Sequence, residues 1–461
     1  MGIKPLKIRS KKLKACTVAA GLSVVAPVYS ASFSEIHHCY VNKHSAGSSI
    51  QITKGNQVLY RGAVGLANVS TKEPLGQKSV FDIGSITKTY TAVAVLLLSE
   101  EKKINLDTPL GTYVKSIPKE YQHATVAQIL SHIAGFPDYL SDSRVWGLWH
   151  RDRGLDRVIK SITRRKPYQE PLNSYEYSNT GYILLGKLIE KVSGQTYREF
   201  LEQRIFKPLK LNNTYVFEQP SKHKTVGYFS APNAPKKLYY PEKVSRTWMH
   251  AAGAISATVS DLSQFYMSLH KGEILSESSY LRMMRRAKLS DGTEIDYGLG
   301  ININDVLGVP TLFHEGRVPG YASWSAYFKE LDIHAVGLSN DEGIHPGPAT
   351  LHMVAEYTKL LPARVSLADK PAEIALLGHY QKTDGERFEI KRSGADLILV
   401  EKGGEEVIEL RENNSYSHKC SGNFFTLENN GGEAVLMFTD LYRGQSTYAK
   451  RVSQQSAQAG S

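Results

Sequence analysis

At 461 residues the chain exceeds the usual size of one hydrophobic core, and ~150 residues per domain predicts two or three units. Lys and Arg outnumber Asp and Glu by 56 to 45, a formal net charge of +11. No basic stripe interleaved with aromatics runs through the body, so a nucleic-acid partner is excluded, and pairs such as Arg164-Arg165 and Arg285-Arg286 read as solvated faces.

Much of the excess charge sits at the N-terminus. Lys4, Lys7, Arg9, Lys11, Lys12 and Lys14 precede the apolar run Ala15–Val28, a charged region followed by a short apolar one. That run is too short for the ~20 residues of a stable bilayer span. Residues 1–30 therefore read as a signal peptide cut after Ser30 or Ser32, which predicts a periplasmic or secreted bacterial protein with no stable membrane span. Without the leader, 50 Lys and Arg face 45 Asp and Glu, a balance of +5. Of the three cysteines, Cys39 and Cys420 remain, without metal-ligand spacing. An oxidising compartment would let them pair, and two separate buried thiols fit the sequence equally well.

Ser49–Ala63 alternates apolar and polar residues around Lys54-Gly55-Asn56, which predicts an opening β-hairpin. From Ser85 an apolar run extends to Leu98 and predicts a buried helix. Between about 105 and 270 the pattern is mainly helical, with Thr125–His132, Tyr182–Val192, Tyr197–Phe206 and Val259–His270 as the clearest segments. Strand patterns return at Tyr297–Asn304, Tyr321–Phe328 and Ile333–Leu338, followed by a helix near Ala349–Leu361. Strands at both ends of a helical middle predict an α+β unit over residues 31–362, its ends joined in one antiparallel sheet flanked by helices. Residues 363–371 read as a linker. Residues 372–453 alternate short strands with Gly and Asn turns and predict a small β-barrel. The polar tail 454–461 reads as disordered.

Chemistry concentrates in three segments. Ser-x-x-Lys alone selects nothing, because the pattern also begins at Ser99, Ser116, Ser221 and Ser268. Ser85 differs: Gly84 breaks the preceding segment and the apolar helix starts at once, so its hydroxyl lies at a helix N-terminus, where free N–H groups favour developing negative charge. Lys88, at i+3, shares that helix face, and burial would ease loss of its proton. Tyr177-Ser178-Asn179 places a phenol that can relay protons beside an amide that can hold a substrate carbonyl. His314-Glu315-Gly316 follows at a strand edge, where glycine would let a substrate backbone approach and His314 could donate to a bound anion or to Tyr177.

Ser85-Ile-Thr-Lys88, Tyr177-Ser-Asn179 and His314-Glu-Gly316 stand in this order, 92 and 137 residues apart. With them the chain resembles the serine β-lactamase-like and penicillin-binding-protein-like hydrolases, nearest the class C β-lactamase, D-aminopeptidase and related esterase branch. Phe81–Ser85, Leu130–Asp138, Ala251–Leu262 and Leu338-Ser-Asn340 agree with the resemblance, which covers roughly residues 35 to 362. Leu377–Phe388 looks like the start of the lipocalin-like β domain that trails such enzymes. The resemblance implies acylation of Ser85, proton transfer by Lys88 and Tyr177, substrate positioning by Asn179, and an oxyanion hole from the backbone N–H groups of Ser85 and Arg317, without metal or organic cofactor. It further implies a small peptide, amide or ester substrate, above all a D-amino-acid-containing or cell-wall-related peptide. A small-ester esterase, a weak β-lactamase and a non-catalytic envelope-binding protein are the alternatives.

Many penicillin-interacting relatives carry Lys-Thr-Gly or Lys-Ser-Gly where this chain has His314-Glu315-Gly316. Glu315 would repel a substrate carboxylate unless Arg317 or protonated His314 compensates, which predicts poor turnover of β-lactams. An α/β-hydrolase is disfavoured by the lack of Gly-x-Ser-x-Gly, and a zinc peptidase by the lack of His-Glu-x-x-His.

Overall fold

A computed structural model describes residues 26–168, 171–216, 223–231, 234–306, 308–361, 376–394, 396–401, 404–411, 415–418, 420, 424–430, 433–439 and 446–452. The expected linker, the expected tail and residues 1–25 of the expected leader lie outside the described residues. Residues Ala26–Tyr40 form a helix, α1, so a cut after Ser30 or Ser32 would fall within it. Phe33 and Ile36, which bury against the sheet, are too few to reveal this helical period in the sequence.

Ser48–Lys54 (β1) and Gln57–Val64 (β2) pair as the predicted hairpin, and Gly55 takes φ +54° in its two-residue turn. Farther along lie Asn302–Val306 (β3), Val309–Val318 (β4), Tyr321–Phe328 (β5) and Ile333–Ser339 (β6). The six strands form one antiparallel sheet in the order β3-β4-β5-β6-β1-β2, with Ser48 opposite Ser339 and Lys54 opposite Ile333. The two ends of the segment 31–362 thus meet in one sheet, as predicted. β4 itself escaped the sequence reading, because Pro310, Glu315 and Gly316 interrupt its apolar pattern.

Helices cover both faces. Thr87–Glu100 (α2) is buried from Thr87 to Leu98, which explains its all-round apolarity. Asn179–Ser193 (α3) starts where the Ser178 hydroxyl accepts from the Gly181 N–H and stops at Gly194, φ +72°. Val259–His270 (α4) is capped by Thr258 and packs on β1 and β6. Gly347–Thr358 (α5) lies beside α1 on the opposite sheet face. One apolar core therefore fills the space between the sheet and the α2, α3 and α4 layer, and a second, built on Ile50, Ile52, Trp324 and Phe328, lies under α1 and α5. The fold is that of the β-lactamase and penicillin-binding-protein class.

At the C-terminus eight antiparallel strands between Gly378 and Val452 close into a barrel. Tyr380, Phe388, Leu399, Leu410, Phe425 and Leu436 pack its interior. The strand Ser415–His418 was not legible in the sequence, since its serines are buried and alternation fails. Ser417 is instead satisfied by the wholly buried Arg411, whose Nε donates to its Oγ at 2.6 Å. Arg411 also donates to Glu356 on α5, and Cys39 on α1 is joined by a disulfide to Cys420.

The Arg411–Glu356 pair carries a falsifiable cost. Removing Glu356 takes a close charged hydrogen-bond partner from the buried Arg411 guanidinium while Glu409 stays at 3.6 Å, so Glu356→Ala is expected to lose about 2 kcal/mol in urea unfolding. Retention of full stability would place Arg411 in water.

Candidate functional site

Ser85 is positioned by long-range contacts as much as by its own helix. Phe81-Asp82 pairs with Ile255–Ala257, and the buried Asp82 carboxylate accepts from Lys224, Arg246 and Ser256, which anchors the chain just before the turn. Gly84 then adopts φ +50°, a region that disfavours any residue with a Cβ. Ser85 lies in the single 3-10 turn Gly84–Ile86, one step before α2.

The same turn is crossed by β4 at very short range. A Cβ on Gly84 would stand 2.8 Å from the Arg317 amide nitrogen, and one on Gly316 would stand 2.1 Å from the Ile83 carbonyl oxygen and 2.9 Å from the Ser85 nitrogen. Gly316 was expected to admit a substrate backbone. The group pressed against it is instead the Ile83–Ser85 backbone, which brings the Ser85 and Arg317 amides to one crossing.

Lys88 is fully buried in the first turn of α2, and its Nζ donates to Ser85 Oγ at 2.9 Å, to Asn179 Oδ1 at 2.7 Å and to the Ala252 carbonyl at 2.9 Å. Burial pushes its ammonium down to about 7, against the attraction of the Asp138 carboxylate. The Tyr177 ring lies 4.8 Å from Nζ, and the Tyr182 ring 5.6 Å. Burial pushes the Tyr177 hydroxyl well above its ordinary range, and a hydrogen bond with Ser85 opposes the shift. The phenol is therefore neutral at pH 7, and the amine is the group close to losing its proton.

His132 supports the Tyr177 loop from behind. Its ring packs tilted against Tyr177 with centroids 4.3 Å apart, and its Nδ1 accepts the Ser178 N–H at 3.0 Å. Its proton therefore sits on Nε2, which has no hydrogen-bond partner among the described residues. Burial holds this ring far below the usual imidazole range. His132 also takes φ +58°.

The His314 expectation needs correction. Its Nδ1 bonds the Glu315 carbonyl oxygen at 2.6 Å, so it must carry the proton, and Nε2 accepts from Tyr297 at 3.0 Å. His314 thus meets Tyr297, not Tyr177, and has no N–H left for an anion. Burial pushes it down to about 4, so it cannot act as the cation opposite Glu315. Glu315 and Arg317 occupy the exposed side of β4. Glu315 pairs with His345 at 3.1 Å, while the Arg317 charge acts on Glu342.

Several contributors were missed in the sequence. Asp138 accepts from Asn179 Nδ2 at 2.9 Å, and Tyr297, His345 and the Ala252 carbonyl complete the surroundings. Asp138 and Ala252 both fall inside accessory segments quoted for the resemblance, which was the available signal. Among the described residues no group of three or more His, Cys, Asp or Glu side chains is placed to hold a metal ion, and no helix is long and apolar enough to cross a membrane.

The beta-lactamase family model matches residues 33–358. The chain belongs to the beta-lactamase family. It is similar to penicillin-binding protein 4* of Bacillus subtilis, 27% identical over 318 residues that make up 65% of this chain and 69% of the relative. Among solved structures, a D-stereospecific amidohydrolase from Streptomyces sp. aligns with a TM-score of 0.61 and 25% identity over 71% of this chain and 98% of its own. The octameric penicillin-binding protein homologue from Pyrococcus abyssi aligns with a TM-score of 0.62 and 24% identity over 91% and 99%, a likeness of fold that extends over the barrel. Like others of the family, the chain is a serine hydrolase.

The crossing at Gly316 sets a steric test. Gly316→Ala puts a methyl group into the Ile83 carbonyl, and displacing the Ser85 turn by even ~1 Å is expected to lower hydrolase turnover at least ~10²-fold. Near-normal kcat would show that the crossing tolerates the extra carbon.

Proposed function

We propose that this protein is an exported amide hydrolase that forms an acyl-enzyme on Ser85 and acts on D-amino-acid-containing or cell-wall-related peptides. The observation that carries the reading is the buried Lys88 amine, 2.9 Å from Ser85 Oγ and held near neutrality. The catalytic unit is assigned to residues 31–362, with residues 1–30 as its export leader.

In the proposed sequence of events neutral Lys88 accepts the hydroxyl proton as Ser85 Oγ attacks the substrate carbonyl carbon. Negative charge collects on the carbonyl oxygen, facing the backbone N–H groups of Ser85 and Arg317. Tyr177, a neutral phenol beside both Ser85 and Lys88, relays the proton that Lys88 took up to the departing amine nitrogen as the C–N bond breaks, so that amine and phenol are both neutral again. Water then attacks the Ser85 ester through the same groups in reverse, releasing the acid and restoring the hydroxyl. Asn179, whose Oδ1 faces Lys88, sits where a substrate amide would pass.

The choice of substrate rests on charge and on likeness. A substrate carboxylate would meet Glu315, and His314, kept neutral by burial, does not offset it. The similarity to a penicillin-binding protein and to a D-stereospecific amidohydrolase favours D-configured amides.

Labelling by a fluorophosphonate is expected in the wild type and absent in Ser85→Ala; no labelling of the wild type would favour a non-catalytic envelope-binding protein. Because the base must be neutral, kcat/KM is expected to rise with pH through about 7. In a panel of D-amino acid amides, muropeptides, nitrophenyl esters and a chromogenic cephalosporin, the D-amides or muropeptides should lead. Preferential turnover of the cephalosporin would reverse the substrate assignment.

A further inference from the structure

Asn179 presents two chemically opposite ends to its neighbours. Its carbonyl end, Oδ1, accepts from Lys88 Nζ, and its amino end, Nδ2, donates to Asp138 Oδ2. A carboxylate has no proton to give, so the reverse flip would set two acceptors against each other at Asp138 and two donors against each other at Lys88. The side of the amide that Lys88 meets is therefore chosen at Asp138.

Asp138 is itself held in place. Its Oδ1 accepts the Leu140 N–H at 3.2 Å and caps the turn Tyr139–Ser141. The next residue is tied to α3 and to the loop ahead of α4: the Tyr139 N–H meets Thr180 Oγ1 at 3.2 Å and its hydroxyl donates to the Trp248 carbonyl at 2.5 Å. Pro137 O lies 3.4 Å from Ser178 Oγ, so the strap 132–139 runs beside the whole Tyr177–Thr180 segment.

We propose that Asp138 is a positioning residue for acyl transfer, locking the Asn179 amide with its oxygen toward Lys88 and supplying the negative charge that sets where the Lys88 amine releases its proton. The inference rests on the reading of Lys88 as the base. The groups around Lys88 leave few other sources of charge. From the 130s strap come His132 and Asp138, from the loop before α3 and its first turns Tyr177, Asn179 and Tyr182, from β4 His314, and from residues 250–253 the Ala252 carbonyl. Burial keeps both histidines neutral by lowering them and both tyrosines neutral by raising them. Burial also raises the Asp138 carboxyl, and the Leu140 and Asn179 donors together with Lys88 hold it toward the ionised form.

The test compares pH profiles. Asp138→Asn can still accept from Asn179 Nδ2 but carries no charge, so the acid limb of kcat/KM is expected about one pH unit lower than in the wild type. Asp138→Glu keeps the charge at a longer reach and should leave the limb near its wild-type position while lowering kcat. Asp138→Ala, which also releases the amide, should lower kcat/KM ~10 to 10²-fold. A limb that stays put in Asp138→Asn, in a variant whose melting curve shows it folded, overturns the proposal, since a merely structural aspartate would change stability alone. Ser85→Ala labelling, run alongside, separates this failure from failure of the acyl-enzyme reading, in which label would persist without Ser85.

Discussion

A lysine side chain with no exposure to water governs the architecture around Ser85. An unpaired buried ammonium is costly, and the protein offsets that cost with three acceptors, Ser85 Oγ, Asn179 Oδ1 and the Ala252 carbonyl, drawn from segments 3, 91 and 164 residues away. Each acceptor imposes a demand. Asn179 must start α3 beside α2, residues 250–253 must turn a carbonyl inward, and α2 must be sheathed in apolar side chains to exclude competing water. The helical layer is thereby organised around one amine.

The sheet meets that layer where glycine replaces side chains on both sides. Gly84 and Gly316 face each other's backbones so closely that a Cβ on either would overlap its neighbour. That contact sets the depth of the Ser85 turn relative to β4, and Asp82, paired with Lys224 and Arg246, fixes its approach. Ser85 thus stands at a seam, reached by Lys88 and Tyr177 from the helical side and by the Arg317 amide from the sheet side. Neither layer alone could present all of these groups.

What the sequence disclosed follows from this division. The hairpin, the helix 259–270 and the strand 321–328 were legible because their periods are local and their faces clean. Ser85, Lys88, Tyr177 and Asn179 were legible as a set, since their order and spacing survive in the linear chain, and the structure brings their side chains together. Partnerships across the fold were not. The sequence offers His314 a bound anion or Tyr177 as partner, and nothing local reveals that Tyr297 takes its Nε2. Asp138 passed as part of a loop signature, because its role depends on the orientation of an amide 41 residues later. The Ser415–His418 strand is masked by buried serines, and the partner of Ser417, Arg411, is visible only in three dimensions.

The barrel is a separate unit with its own apolar core. Among the described residues Tyr380, Phe388 and Phe425 pack together in its interior, and a closed barrel has no free edge to lend to a partner strand. Its anchors described here, Arg411 on Glu356 and Cys420 on Cys39, reach α5 and α1. Those helices cover the sheet face opposite α2, where Val309 and Phe313 of β4 join the same apolar cluster, so these contacts bear on the back of the sheet. A disulfide spanning 381 residues restricts the unfolded chain far more than any local contact could. The barrel is thereby tied to the layer that supports the seam, while the chemistry of the seam belongs to the helical layer and β4.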